Sequence, residues 1–378
     1  MIAKNIHGQH INEIRSKFAG AIANGFKPTL AIVFCSIVQD RKSIVDFFNE
    51  QQVDVFGATT AGEIVDDEVM EQSTVIMLLD IKKEYYRIFT KQSQQNNTYQ
   101  ISQSAVMCAK EYFSNPSVIL ISSGLTIDAE QIIKGVKDVD ANIPLYGGLA
   151  GDDLTMKASY VFSNAFESPD GIIALIIDNN KVNVQGIATS GWDNIGIEKT
   201  ITKSDGNIVY SIDGESAVDV FVKYFQFTGS VDNKAEIIAM NFAQYPLQLK
   251  KDNGNTVLRA PLMVNTDTRA LIFAGGIPEG SKVKFSVPPG FDLVEKTASE
   301  ISNLKTTIPS ADAILMFSCK ARHLALGPMT ADEAASVRSI WDKPLLGFFT
   351  YGEIGTAKDS TCDFHNETCS MVVVKEIG

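Results

Sequence analysis

Short, nearly continuous apolar runs punctuate the chain: LAIVFC (30–35), VIMLL (75–79), VILIS (118–122), GIIALII (171–177), IIAM (237–240), AILMF (313–317) and MVVV (371–374). Runs of this length read as strands covered on both faces. Helical period alternates with them. In residues 11–22 the apolar positions Ile11, Ile14, Phe18 and Ile22 recur at three- and four-residue steps, and Gly25 supplies a stop. Asp128 with Gln131 and Thr330 with Glu333 have capping-box spacing ahead of further helices. The closely spaced apolar pairs at 73–89 and 171–188 predict hairpins that add antiparallel strands. The pattern as a whole predicts an α/β fold with mixed sheets.

The chain repeats itself. Residues 57–64 read GATTAGEI and residues 347–354 read GFFTYGEI, sharing Gly, Thr, Gly, Glu and Ile at equal offsets. Each follows a strand ending in Cys or Ser and a helix, and each precedes another apolar strand. A looser third copy runs from VILISS (118–123) through a helix to PLYGGLAGDD (144–153) and GIIALII, sharing a PL-x-G opening with Pro344, Leu345 and Gly347. Such a unit is a βαβ element with a glycine-rich turn. The duplication predicts two related domains, 25–200 and 205–378, meeting near residues 190–210, with the two matching turns overlaying.

Turns at strand C-termini line the binding crevices of α/β proteins, and glycine lets their backbone approach a ligand. On that reading Thr59, Thr60, Gly62, Glu63, Gly147, Gly148, Asp152, Tyr351, Gly352 and Glu353 line a crevice where carboxylates meet a ligand ammonium group. The alternative is that the glycines only shape the turns while Glu63 and Glu353 serve a cap or a structural arginine. Asp152 and Asp153 lack a visible third ligand for magnesium, so no metal is expected. Arg322, a few residues past the strand at 313–317, could reach a ligand carboxylate or pair with a repeat glutamate. Cys319 reads as a strand-end thiol in the same crevice, with no His–Asp arrangement to make it a nucleophile. Cys362, His365 and Cys369 lack the paired spacing of a zinc site.

Composition narrows the class. The chain has 378 residues, 45% hydrophobic and 21% charged, and carries 33 basic against 45 acidic residues for a net charge of −12. No dense basic cluster interrupts that acidity, which excludes nucleic acid as an expected partner. No apolar stretch is long enough to cross a bilayer, MIAKNIHGQH lacks a signal-peptide core, and five cysteines form no CxxC pair. A cytoplasmic protein is expected.

The landmarks TTAGEI (59–64), YGGLAGDD (146–153), FSCKARHLALG (317–327), GFFTYGEIG (347–355) and FHNET (364–368) resemble, in that order, those of FIST proteins. The resemblance spans an N-terminal and a C-terminal FIST domain. It implies a sensory module that binds a small polar ligand such as an amino acid. With no kinase, cyclase or receptor segment in this sequence, its output would pass through a separate signalling protein such as a histidine kinase or cyclase. Some relatives are haem-binding nitric-oxide sensors, for which His323 and His365 are the candidate axial ligands; no cofactor is otherwise expected. An enzyme is the remaining alternative, without an assembled catalytic group to support it.

Overall fold

The computed structural model describes residues 1–93, 97–226, 242–287, 290, 292–358 and 360–377. Three units of one topology emerge. The first runs β1 (Ala3–Gly8), α1 (Ile11–Ile22), β2 (Leu30–Cys35), α2 (Arg41–Glu50), β3 (Asp54–Thr59), a hairpin β4 (Glu63–Val65) and β5 (Glu68–Met70), and β6 (Thr74–Leu79). The second repeats it: β7 (Tyr86–Gln92), α3 (Thr98–Tyr112), β8 (Pro116–Ser122), α4 (Ala129–Val139), β9 (Leu145–Leu149), β10 (Val161–Ser163), β11 (Phe166–Ser168) and β12 (Gly171–Asp178).

The third opens with β13 (Val182–Thr189) and is interrupted by an insertion. That insertion holds β14 (Asp193–Asp205), β15 (Ile208–Ile212), β16 (Glu215–Ser216), α5 (Ala217–Phe225), β17 (Leu247–Lys250), β18 (Thr256–Arg259), β19 (Pro261–Asn265), β20 (Ala270–Phe273) and β21 (Lys282–Val287). Its strands form one antiparallel sheet around Phe221, Phe242, Phe273 and Phe285. The unit then resumes with α6 (Leu293–Ser302), β22 (Ala313–Cys319), α7 (Lys320–Leu326), α8 (Thr330–Ser339), β23 (Leu345–Thr350), β24 (Glu353–Thr356), β25 (Cys362–His365) and β26 (Cys369–Glu376).

Each unit builds a sheet in the same order, β1-β6-β2-β3, β7-β12-β8-β9 and β13-β26-β22-β23, with one parallel pair and antiparallel neighbours. The hairpins do not stay at home. β4–β5 pairs with β23 of the third unit, β24–β25 with β9 of the second, and β10–β11 with β3 of the first. Every sheet is therefore completed by another unit, and the exchange closes a cycle. The inner faces share one apolar core, where Phe34 meets Phe348 at 4.6 Å between ring centroids and Phe317 meets Phe348 at 5.7 Å.

The mixed α/β sheets and the repeated strand–helix–strand unit match expectation, and the strands 30–35 and 313–317 occupy equivalent places. The repeat is threefold in topology, with the copy at 118–177 a full member. The hairpins expected at 73–89 and 171–188 do not form, because β6 and β7, and likewise β12 and β13, enter different sheets; each is still an antiparallel addition. Alternation reports that a strand is half or fully buried, and carries no address for its partner. Asp128 does cap α4, accepting from the Glu130 amide at 2.9 Å. Thr330 and Glu333 do not form a box: Thr330 donates to the Gly327 carbonyl and the Glu333 carboxylate turns inward to Arg322. The run IIAM (237–240) lies outside the described residues.

Candidate functional site

The three glycine turns meet and bond to one another. The Ala61 amide donates to the Phe349 carbonyl (3.0 Å), the Tyr351 amide to Leu149 (3.1 Å) and the Gly151 amide to Thr59 (3.0 Å), a ring of equivalent bonds. Return bonds run from Phe349 N to Gly62 O (2.9 Å) and from Leu149 N to Gly352 O (2.8 Å). Gly62, with φ at +116°, satisfies this close approach, and Gly147, with φ at +138°, lies against the Leu120 carbonyl of β8 in its own unit. Gly148 pairs with Glu353 across the strands.

The repeat carboxylates are sealed inside. Glu63 accepts from the Thr60 hydroxyl and from the amide and hydroxyl of Ser73, at 3.1 and 2.8 Å. Glu353 repeats this with the Thr350 hydroxyl and the amide and hydroxyl of Thr368, at 3.3 and 2.8 Å. Both residues are fully buried. Burial pushes Glu63 up to about 7 and Glu353 up to about 8 against the pull of those donors. Thr59 donates to Gly151 O at 2.7 Å. Asp152 is equally enclosed, accepting from the Tyr351 and Thr155 hydroxyls and the amides of Met156, Lys157 and Ala158. The sequence thus names residues that do come together, and the structure brings them together as the joint between units.

Arg322 is fully buried, and its five N–H donors are used within the protein. Nε and Nη2 meet Glu333, Nη2 also Thr297 at 2.8 Å, and Nη1 the carbonyls of Ser190 and Glu367. None remains for a ligand carboxylate. Its acid is Glu333, where the sequence suggested Glu63 or Glu353. Burial raises the Cys319 thiol well above its ordinary range, which keeps it an unreactive thiol.

Neither histidine suits an axial haem ligand. His323 stacks on Phe349 at 3.9 Å, and its Nδ1 lies 3.0 Å from Lys320 Nζ. An ammonium only donates, so Nδ1 is the accepting nitrogen and Nε2 carries the proton, with no lone pair left for iron. His365 is 3% exposed, its Nε2 faces the Gly355 carbonyl at 3.1 Å, and a ring so buried presents no face to a porphyrin. Burial pushes both imidazoles down to about 4.

An open cleft of about 410 Å3 lies elsewhere, at the carboxyl ends of β1 and β2 between the starts of α1 and α2. Its walls include Gln9, His10, Gln39, Asp40, Gln72 and Thr74 over a floor of Ile11, Ile14 and Ile44. Asp40 caps α2 through the Ser43 amide, whereas His10 gives α1 no side-chain cap. Gln39 donates to the Gln72 carbonyl at 2.8 Å. Sequence reasoning missed this cleft, since scattered carboxamides carry no motif; the one signal was their position just past strand ends.

A cyclic α/β module with a polar cleft at the strand ends is the class these features define. The chain matches the FIST N domain over residues 29–215 and the FIST C domain over residues 217–356, and it belongs to the FIST family, which is associated with signal-transduction sensing. It is also 20% identical over 387 aligned residues to the uncharacterized protein MJ1623 of Methanocaldococcus jannaschii, across 92% of this chain and 73% of that one. Among the described residues no helix is long and apolar enough to cross a membrane.

Proposed function

We propose that this FIST protein is a sensor that binds a small, polar, amino-acid-like ligand in the cleft of the first unit and reports it to a separate signalling protein such as a histidine kinase or cyclase. The cleft itself carries the reading. It is an open polar concavity at strand carboxyl ends, with a carboxylate on one wall and the start of α1, without a side-chain cap, on the other. A ligand ammonium group has Asp40 to meet, a ligand carboxylate has the α1 amides, and three glutamine amides offer donors and acceptors between them. The glycine turns, first read as the ligand site, act in this scheme as the support behind the cleft: Ser73 lies between Gln72 and Thr74 and holds Glu63.

Native mass spectrometry of the purified protein and calorimetric titration with the common amino acids test the reading. Val38 is 66% exposed at the cleft's edge, so Val38→Trp fills the cleft without touching the core. It is expected to abolish binding with an unchanged melting temperature. A ligand that binds Val38→Trp as well as wild type rules this cleft out.

A further inference from the structure

The third unit contains a closed counterpart of the open cleft. The Ser36 amide donates to Ser73 O at 2.9 Å in the first unit, and the Cys319 amide donates to Thr368 O at 3.0 Å in the third. Gln39 Nε2 donates to Gln72 O, and Arg322 Nη1 to Glu367 O at 3.3 Å. Gln72 and Glu367 even share a left-handed backbone, at φ 52° and 58°. Glu367 therefore occupies the place that Gln72 holds on the wall of the open cleft. Here the insertion has closed the space: Trp192, at its start, lies 5.4 Å from the Arg322 guanidinium and packs with Leu258, Leu293 and Leu326.

On the equivalent turn of the third unit three buried acceptors are unmet. Glu367 and Asn366 are fully buried, and among the described residues Glu367 Oε1, Glu367 Oε2 and Asn366 Oδ1 have no hydrogen-bond partner. Neither protonation state of Glu367 cures this. The carboxylate lacks a donor, and the acid would lack an acceptor for its O–H. Leaving a carboxyl so placed is unfavourable in either form. Charge points the same way. Arg322 is committed to Glu333, its buried partner, while burial and mutual repulsion hold the neighbouring Glu353 and Glu367 carboxyls above their ordinary range, so a cation entering beside them takes the place of a proton. A group that only donates and carries positive charge answers both deficits, and a primary ammonium offers three N–H donors and no acceptor. No cluster of three metal-ligating side chains occurs among the described residues, so the donor set speaks for an N–H cation over a metal ion.

We infer that the turn at Asn366–Glu367, backed by Glu353, is a second ligand site, enclosed by the insertion, that takes the primary ammonium group of a small amine. It is distinct from the open cleft, and the two succeed or fail separately.

Methylammonium chloride is the probe, with sodium chloride and tetramethylammonium chloride as controls of equal charge, the latter without N–H donors. Melting temperature of the whole protein at pH 7.5 is the readout. Methylammonium is expected to raise it saturably and the controls to leave it unchanged. Glu367→Gln, which is neutral and nearly isosteric, is expected to weaken the apparent affinity at least tenfold, while Val38→Trp leaves it intact. Should Glu367→Gln fail to fold, the three salts still discriminate in wild type, and Asn366→Ala serves as the second variant with a smaller loss. An equal response to all three salts, or an unchanged methylammonium response in Glu367→Gln, overturns the site and assigns the turn to hydration only.

Discussion

Replacing Arg322 with alanine separates a structural guanidinium from a ligand-binding one. Both Arg322 and Glu333 are fully buried, so the truncation leaves a carboxylate sealed in a space without a cation and strips donors from Ser190 O, Glu367 O and Thr297 Oγ1. Breaking one side of such a pair costs about 3–5 kcal/mol. At the few degrees per kcal/mol usual for a chain of this size, melting should fall by on the order of 5–15 °C. The pair's net worth is smaller than that figure, since much of the loss is the stranded acid. Arg322→Met with Glu333→Leu should therefore recover a large part of the stability, a non-additive cycle with an interaction energy of about 1–3 kcal/mol. Thermal and urea unfolding of wild type, both single variants and the double variant supply the four corners. A single variant within about 1 kcal/mol of wild type, or a double variant equal to the sum of the singles, would refute the buried-pair argument and return Arg322 to the candidate ligand contacts.

Two further outcomes follow from the joint between units. Glu63 and Glu353 have folded values of about 7 and about 8, above the ordinary 4.5, so the folded state holds more protons between those limits and stability falls as pH rises through them. His323 and His365 act in the opposite sense, mainly below 6.5, and the buried thiols add to the decline as pH nears 9, so the window from pH 6.5 to 8 reads the buried acids best; Glu353→Gln should make that decline shallower, and an unchanged slope would remove Glu353 as a source. Gly147→Ala would place a Cβ 1.8 Å from the Leu120 carbonyl at a φ of +138°, which should cost about 2 kcal/mol or more, whereas Gly20→Ala, with nothing within 4 Å in α1, should gain about 0.5–1 kcal/mol; comparable melting temperatures for the two would contradict the close β8–β9 approach at the base of the turn.

What the letters reveal is set by what each position demands. GATTAGEI and GFFTYGEI match because both turns need a backbone that L side chains rarely adopt, followed by an acid whose threonine partner lies three residues before it. That demand is local, so it is legible. In the second unit the acid shortens to Asp153, whose carboxylate meets Ser36 of the first unit at 2.5 Å, and the motif blurs. The exchange of hairpins is not local. Glu63–Val65 reads as a strand, but nothing in three residues says that its neighbour is Leu346 on a sheet nearly 300 residues away. Glu333 is illegible for the same reason: its spacing from Thr330 fits a cap, and its partner Arg322 is visible only once α7 and α8 pack. Glu367 lies in FHNET two residues past His365, and its spacing there says nothing of its role, because an unmet acceptor is a property of packing and not of sequence.

The cyclic exchange also links the two proposed ligand sites physically. Gln72 lines the open cleft, and the next residue, Ser73, bonds Glu63, which bonds Thr60 at the ring. From there the Ala61 amide reaches Phe349, beside Thr350, which bonds Glu353; Thr368 holds Glu353 from the other side and directly follows Glu367. Contiguity alone is not coupling, which requires an element with two arrangements that both sites bias. The exchanged hairpin β4–β5 is the segment on which such a second arrangement should be sought. It begins at Glu63, ends two residues before Gln72, and pairs with β23 of the third unit, so any shift of the Gln72 wall on ligand binding is carried on the same covalent segment to the strand that ends at Thr350. A sensor built from one unit would have to signal through a surface of its own. One built by exchanging hairpins already has each unit's edge embedded in its neighbour.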